Sequence, residues 1–302
     1  MTTSATPSPP AAVDGVAGTT RVDGVDVAWE RWGATGAPLL VLVHGTSAHT
    51  AWWHHTLPWL ADVFDVVAVD LSGHGESGWR PEGYSLEQWS GEVLPVAADT
   101  VGGADGAVLV GHSIGGLVTA GAAARDPGAV RALVLVDCLV TEPERAERVR
   151  PVLRQDVCFG SAAEGLARYR LMPPQPVPDD RTLVYVAERS LREDVDGWRW
   201  KVDPAIFGAL DTDPLTRALR GVRCPTAVVR GELSALVAAD AGRRLSRLIG
   251  APVAQYDVPD AHHHVMIDQG PAFGRLLRRA LDDLGEVLAP ATRPVTVDEE
   301  SP

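Results

Sequence analysis

One serine lies in a short, glycine-rich segment that could present its hydroxyl as a nucleophile. The segment reads G-H-S-I-G-G at residues 111–116 and stands between an apolar run and a stretch that predicts a helix. A strand that turns directly into a helix at Ser113 predicts strained dihedrals there, with glycines where side chains would collide. The turn would lift the hydroxyl above the strand end. It would also aim the Ile114 N–H at a substrate from the positive end of the helix.

A second segment could supply another amide to the same site. It reads V-L-V-H-G-T at residues 41–46 and ends the first of several apolar runs. We expect Gly45 to let the chain turn tightly and to place the Thr46 N–H opposite that of Ile114. Two converging N–H groups would stabilise the oxyanion of a tetrahedral intermediate. By itself, the segment would also fit a plain strand-to-loop turn packed by His44.

Three consecutive histidines, His262, His263 and His264, could provide a base. They lie in the segment D-A-H-H-H-V-M-I-D-Q at residues 260–269, just past the last apolar run. A serine hydroxyl is a weak nucleophile and needs an adjacent base with a pKa near neutrality, which histidine supplies. The triplet also suggests a metal site. We expect no metal there, because adjacent side chains diverge and no second ligand cluster of suitable spacing occurs.

The elements around these segments predict an α/β fold with a mostly parallel central sheet and flanking helices. Residues 21–32 alternate around an Asp-Gly pair, which is typical of a hairpin. Continuous short apolar runs then predict strands buried on both faces, and the stretches between them predict helices. The predicted strands span residues 38–43, 66–71, 107–110, 132–136, 226–229 and 253–258, and the predicted helices span 86–101, 115–124, 236–248 and 271–284.

The alternation of strands and helices fails between residues 139 and 222, and we interpret this segment as an inserted helical cap. It contains no convincing buried strand. A structureless loop of that length would be unusual in a compact domain. An independent second domain is the alternative interpretation. Charged, helix-forming stretches within the segment lie at 142–152, 161–170 and 185–194.

The other domain boundaries follow from composition. The α/β core would comprise residues 21–138 and 223–287. Residues 1–20, rich in Ser, Thr, Pro and Ala, predict a disordered tail, and so do residues 288–302, which are rich in Pro and acidic residues. The first tail lacks the basic and apolar regions of a signal peptide.

Composition also excludes several kinds of partner. The chain of 302 residues is 45% hydrophobic and carries a formal net charge of −13. Such an acidic surface repels phosphate backbones and anionic lipids, so neither nucleic acid nor membrane is expected as a partner. Three scattered cysteines favour neither a disulfide framework nor a zinc site, and a reducing cytoplasm is the expected setting. The sequence does not indicate an oligomeric state.

Together these segments resemble the α/β-hydrolase superfamily over residues 21–287. The resemblance rests on four features in the family's order: the His-Gly turn at 44–45, the D-L-S-G-H-G-E-S stretch at 70–77, the Ser113 turn and the histidine segment. The second feature resembles the family's D-x-x-G-x-G-x-S turn. In the family the histidine segment commonly reads G-H-h-x-x-x-D, and aligning its acid on Asp268 makes His263 the base. The resemblance implies the α/β-hydrolase fold, with Ser113 as nucleophile.

The carboxylate that should orient the histidine departs from the family pattern. Many relatives take it from the aspartate of a G-x-x-D sequence, and here Ser234 stands at that place, in G-E-L-S. Asp137, which ends the strand after the nucleophile's strand, is the favoured substitute because some members take their acid from there. Glu232 is the alternative acid. A link through Ser234 or water is the remaining choice, and each fits the order of nucleophile, acid and histidine.

The resemblance implies a serine hydrolase that acts on small molecules without a metal or other cofactor. Carboxylic esters come first as substrates, followed by lactones, thioesters and carbon–carbon bonds beside a ketone. The same fold hosts cofactor-free perhydrolases or haloperoxidases, biosynthetic acyltransferases or cyclases, and non-catalytic small-molecule receptors. Large apolar side chains near the turn and in the cap could line a substrate pocket; the candidates are Trp52, Trp53, Trp198, Trp200, Phe207 and Met172.

Overall fold

A sheet of eight strands forms the centre of the computed structural model, which describes residues 15–102, 106–138, 156–177, 180–209 and 218–288. The strands of this sheet are β1 (Val16–Val22), β2 (Val25–Trp32), β3 (Leu39–Val43), β4 (Asp65–Val69), β5 (Ala107–His112), β6 (Val130–Val136), β9 (Thr226–Gly231) and β10 (Val253–Val258). A separate hairpin consists of β7 (Leu191–Asp194) and β8 (Gly197–Trp200). The α-helices are α1 (Leu86–Val101), α2 (Ile114–Arg125), α3 (Ala162–Arg168), α4 (Asp180–Arg189), α5 (Ala241–Ile249), α6 (Val265–Asp268) and α7 (Gly270–Leu288). Short 3₁₀ helices occur at Thr50–Trp53, Leu57–Trp59 and Pro204–Ala209.

The strand order is β1-β2-β4-β3-β5-β6-β9-β10, and only β2 runs against the others. Strands β3 and β5 are neighbours in the sheet. The chain passes from β3 to β4 on one side of this pair and from β5 to β6 on the other. The carboxyl ends of β3 and β5 therefore border a switch point, which is where open α/β sheets bind ligands. The register aligns those ends, since Val43 pairs with Gly111 and His112 pairs with Val136.

Apolar residues alternate between two core layers on opposite faces of the sheet. In β3, Val41 and Val43 belong to the layer that includes Trp89 of α1, whereas Leu42 belongs to the layer that includes Phe273 of α7. Both faces are thus covered by helices, which explains why the strands read as continuous apolar runs. Full burial of one such leucine contributes about 2 kcal/mol to folding.

Helix boundaries follow local capping chemistry. Helix α1 spans the predicted residues 86–101, because the Ser85 hydroxyl accepts the Gln88 N–H and Gly102 ends the helix at a φ of 74°. Helix α5 begins five residues later than predicted. The Ser234 hydroxyl accepts the N–H groups of Leu236 and Val237, which holds the preceding residues in a turn.

The inserted segment differs in part from the expectation. The stretch predicted as a helix at 185–194 divides into the end of α4 and strand β7. Strand β8 follows after a turn at residues 195–196 and begins at Gly197, whose φ is 148°. These short strands escaped prediction because most of their residues are charged or only partly buried, so no continuous apolar run forms. The predicted helix at 142–152 lies outside the described residues.

The amino-terminal strand also starts earlier than predicted. Residues 16–20, assigned to a disordered tail, pair antiparallel with β2 as part of β1. Their Gly-Thr-Thr sequence lacks the apolar run that would have predicted a strand. This edge strand gains its order from backbone pairing instead. Residues 1–14 and 289–302 of the predicted tails lie outside the described residues. Within the part of the chain that the structure describes, no helix has both the length and the apolar character that crossing a bilayer requires.

Candidate active site

Ser113 occupies a strained turn between β5 and α2. Its φ is 53° and its ψ is −120°, a conformation that L-residues rarely adopt. A Cβ at Gly111 would lie 2.2 Å from the Gly115 carbonyl oxygen, and a Cβ at Gly115 would lie 2.3 Å from the His44 carbonyl oxygen. Both glycines are therefore required by close backbone approach, as the sequence indicated, and the turn leaves Ser113 half-buried at the strand end.

His263 links Ser113 to Asp137 through its two ring nitrogens. Its Nε2 lies 3.2 Å from Ser113 Oγ, and its Nδ1 lies 2.7 Å from Asp137 Oδ1. The imidazole is 4% exposed and the carboxylate is fully buried. A carboxylate can only accept, so His263 Nδ1 carries a hydrogen, and in the neutral ring Nε2 is then free to take a proton from Ser113.

Asp137 is held at the end of β6 by donors from three directions. Its φ of 39° is left-handed. Besides bonding His263, it accepts the Gly231 N–H at 2.7 Å on Oδ2 and the Ser234 hydroxyl at 2.6 Å on Oδ1. Ser234, which stands where the family pattern would place an acid, thus contacts Asp137, the candidate acid at the end of β6.

The remaining candidates for acid and base point elsewhere. Glu232 is exposed, and its carboxylate accepts the Asp260 N–H at 3.2 Å. His262 bonds Asp268 through both its backbone N–H, at 2.8 Å, and its Nδ1, at 3.0 Å. Neither Glu232 nor His262 is brought next to Ser113.

The loop after β3 is fixed by His44. Its Nε2 accepts the Leu71 N–H at 3.1 Å, so the hydrogen of the neutral ring sits on Nδ1, which donates to the Gly45 carbonyl at 2.7 Å. Burial, the largest cause, lowers the pKa of His44 well below its usual value and keeps the ring neutral. The Gly45 carbonyl and the Thr46 N–H belong to one planar trans peptide and point in opposite directions. The Thr46 N–H is thereby directed away from His44.

Gly45 serves a different purpose from the one predicted. It lies outside the left-handed region, and Ser47, with a φ of 60°, makes the tight turn instead. A Cβ at Gly45 would lie 2.8 Å from His112 Nδ1 and 3.2 Å from Ser113 Cβ. The glycine is needed because the β3 loop approaches the Ser113 turn so closely.

Two further histidines flank His263. The rings of His112 and His264 lie 4.9 Å and 4.8 Å from the His263 ring, measured between centroids. Burial lowers the pKa of His112 to about 3 and that of His264 well below its usual value, so both rings are neutral. Adjacent histidine side chains were expected to diverge. His262 does point away, towards Asp268, whereas the rings of His263 and His264 lie side by side. His112, within the G-x-S-x-G motif itself, was missed as a neighbour of the histidine segment.

Comparison with known proteins identifies the family. Residues 40–275 match the model of the alpha/beta hydrolase family. The chain belongs to this family. It is 30% identical over 275 residues to the esterase Rv0045c of Mycobacterium tuberculosis, covering 87% of this chain and 88% of the esterase. It is likewise 30% identical over 249 residues to a pimeloyl-[acyl-carrier protein] methyl ester esterase of Methylococcus capsulatus, covering 80% and 93% of the two chains.

The fold of this alpha/beta hydrolase matches solved structures as well. The crystal structure of an E-2-(acetamidomethylene)succinate hydrolase superposes with a TM-score of 0.75 at 26% identity, covering 89% of this chain and all of the other. The sheet topology described above is thus that of the hydrolase fold. Relatives at this level of similarity include esterases, a 2-(acetamidomethylene)succinate hydrolase and a putative non-heme haloperoxidase.

The six residues predicted to line a substrate pocket do not lie together in this alpha/beta hydrolase. Trp52 lies beside the histidines, with ring centroids 6.3 Å from His112 and 5.3 Å from His264. Trp53 is fully buried against Phe273 in the core, which removes it from contact with a ligand.

The other four candidates lie in the inserted segment. Trp200 contacts Phe159 and Tyr169, and Trp198 forms an isolated antiparallel bridge with Phe159, which lies outside the hairpin. Phe207 packs against the core layer of α1 and α2. Met172 is 59% exposed. The insert reaches the histidine segment through Gln175, whose Oε1 accepts the His264 N–H at 2.8 Å.

Proposed function

We propose that this alpha/beta hydrolase cleaves a carboxylic ester, or a related lactone or thioester, through an acyl-enzyme on Ser113. The observation that carries the proposal is the pair of hydrogen bonds of His263, 3.2 Å to the Ser113 hydroxyl and 2.7 Å to the buried Asp137 carboxylate. This is the geometry that activates a serine hydroxyl. The esterase names of its relatives favour ester substrates.

In the first half of the reaction, Ser113 Oγ attacks the acyl carbon while His263 Nε2 takes the hydroxyl proton. Asp137 stabilises the imidazolium and keeps its Nδ1–H pointing inward. The C–O bond to the leaving alcohol then breaks, and the proton passes from His263 Nε2 to the departing oxygen. In the second half, His263 takes a proton from water as the water oxygen attacks the acyl carbon. The carboxylic acid leaves and the proton returns to Ser113.

The N–H groups of Ile114 and Thr46 hold the oxyanion in this proposal. Ile114 is the first residue of α2, so its N–H has no acceptor within the helix. The His44 and Ala48 donors fix the Gly45 carbonyl on one side, which directs the Thr46 N–H to the other. Removing one such donor typically costs 10²- to 10³-fold in kcat, roughly 3–4 kcal/mol.

We assign the acyl or alcohol group of a small-molecule substrate to the side of the site bordered by Trp52. The indole ring stands next to His112 and His264, within the same buried group of rings as His263. Gln175 of the cap contacts the histidine segment, since its Oε1 accepts the His264 N–H. The proposed reaction needs no metal and no organic cofactor.

A fluorophosphonate probe combined with a panel of ester chain lengths tests the proposal. Wild-type protein should be labelled stoichiometrically and hydrolyse at least one ester, and Ser113→Ala should do neither. Ser161→Ala, which changes an exposed serine in the inserted segment, should keep both properties and serves as the matched control. Full turnover by Ser113→Ala would rule the mechanism out. Probe labelling without hydrolysis, but with transfer to peroxide or to an added alcohol, would indicate a perhydrolase or an acyltransferase instead.

A further inference from the structure

Three buried imidazoles converge beside Ser113. One ring nitrogen from each of His112, His263 and His264 lies within 4.8 Å of the others. All three side chains are at least nine-tenths buried. The reaction proposed above uses only His263. The other two rings therefore have no part in that chemistry.

The spare nitrogens of this group have free lone pairs. His112 Nε2 faces the His263 carbonyl at 3.0 Å, so it carries the ring hydrogen, and its Nδ1 has no hydrogen-bond partner. The His264 ring lies near the backbone of Met172 and Pro173, but neither of its buried nitrogens has a hydrogen-bond partner among the described residues. Unpartnered polar atoms in a buried place are costly and call for a ligand or another explanation.

We propose that His112, His263 and His264 form a binding site for a divalent transition-metal ion of the Zn²⁺ type, and that its occupation inhibits the enzyme. Binding rests on the three imidazoles alone, whereas inhibition rests on the proposed function of His263. Imidazole nitrogens suit Zn²⁺ and Cu²⁺, whereas Mg²⁺ and Ca²⁺ prefer oxygen ligands. The buried Asp137 carboxylate, 2.7 Å from His263 Nδ1, offsets part of the charge of the ion.

Binding must draw the three rings together. Zn–N bonds of about 2.1 Å in a tetrahedral site place nitrogens about 3.4 Å apart, so the widest pair must close by roughly 1.4 Å. When the His263 Nε2 lone pair is donated to the metal, it is no longer available for the Ser113 proton, which stays on the hydroxyl oxygen.

Isothermal titration of Zn²⁺ into metal-free protein tests the binding step. We expect one site per chain in wild type and in Ser113→Ala, which retains all three imidazoles. His264→Gln and His112→Gln should each weaken the Zn²⁺ dissociation constant by roughly tenfold or more. His262→Gln is the matched control, since that neighbouring ring bonds Asp268 outside the group, and it should bind Zn²⁺ like wild type. Mg²⁺ should not bind at the same concentrations.

Ester hydrolysis measured with added Zn²⁺ tests the inhibition. Activity should fall with the wild-type dissociation constant, recover on chelation, and resist Zn²⁺ in His264→Gln. Absence of stoichiometric binding, or equal affinity in the control and the two cluster variants with intact circular dichroism, would overturn the site. Binding in Ser113→Ala and wild type with no hydrolysis of any ester would leave the site standing and remove the proposed function.

Discussion

The Ser234 hydroxyl donates a 2.6 Å hydrogen bond to Asp137, although the two residues lie 97 positions apart in the chain. Asp137 directly follows β6 and Ser234 lies three residues beyond β9, so both stand at the carboxyl edge of neighbouring parallel strands. Ser234, at the position where the family pattern would place the acid, thus holds Asp137, the carboxylate that we propose as the acid. Four testable consequences follow from this arrangement and from the packing around it.

Loss of the Ser234 hydroxyl should slow the reaction modestly. In Ser234→Ala, Asp137 keeps the Gly231 N–H and His263 but loses one donor. A hydrogen bond worth about 1 kcal/mol corresponds to a decrease of about fivefold in kcat. Steady-state kinetics across a pH series should show the decrease, and Ser234→Thr, which keeps a hydroxyl, should recover most of it. Wild-type kinetics in Ser234→Ala would contradict the positioning role.

A carboxylate at position 234, after β9, should replace the function of the carboxylate at position 137, after β6. Asp137→Asn should lower kcat by roughly 10³-fold or more, because the amide favours the wrong histidine tautomer. Adding Ser234→Asp to that variant should restore at least tenfold of the loss, since Ser234 Oγ and His263 Nδ1 share the same carboxylate oxygen. Glu232→Gln, an exposed carboxylate bonded to Asp260, should stay within about twofold of wild type. A double variant no better than Asp137→Asn would show that the β9 position no longer reaches the imidazole.

Buried neutral histidines should make folding sensitive to acid. Burial lowers the pKa of His49 to about 3 and that of His74 to about 4. Below the unfolded value of about 6.5, unfolding takes up a proton at each, so stability falls as the pH falls. Relative to His49→Gln, wild type should lose about 2 kcal/mol of unfolding free energy between pH 7 and pH 5. Urea unfolding of both proteins at the two pH values measures this, and parallel pH dependence would refute it.

The β3 loop and the Ser113 turn should not tolerate a methyl group between them. Gly115→Ala places a Cβ 2.3 Å from the His44 carbonyl, a backbone atom that cannot move without shifting the Thr46 amide. We expect a loss of at least about 2 kcal/mol in stability and a decrease of 10²-fold or more in kcat. Gly285→Ala, on α7 with open space around it, should instead stabilise the protein by about 1 kcal/mol. Thermal unfolding and ester hydrolysis distinguish the two outcomes.

Features that depend on local sequence were predictable. The Ser113 turn, the helix 86–101 and the buried strands each follow from glycine positions, capping or apolar runs. The placement of Asp137 was also predictable, because a residue that ends a parallel strand must lie at the carboxyl edge of the sheet. Whether the acid contacts His263 in catalysis stays a prediction until the Asp137 variants are measured.

Features that depend on approach between distant segments were not predictable. The contact of His112 with the histidine segment joins the end of a strand to a loop 151 positions away in the chain. The need for glycine at position 45 likewise arises from proximity to that ring and not from a turn. The hairpin of the inserted segment was missed because its pairing, rather than an apolar pattern, gives it order.

Cys138 follows Asp137 directly and is the last described residue before the inserted segment. It is fully buried, and its Cβ would lie 2.8 Å from a Cβ at Gly116, so it is clamped against the first turn of α2. Asp137 is thus joined in the chain to the inserted segment through one tightly packed side chain. We expect exchange of the insert for one of different length or sequence to change which molecules the protein accepts, while the Ser113–His263 and His263–Asp137 distances stay as they are.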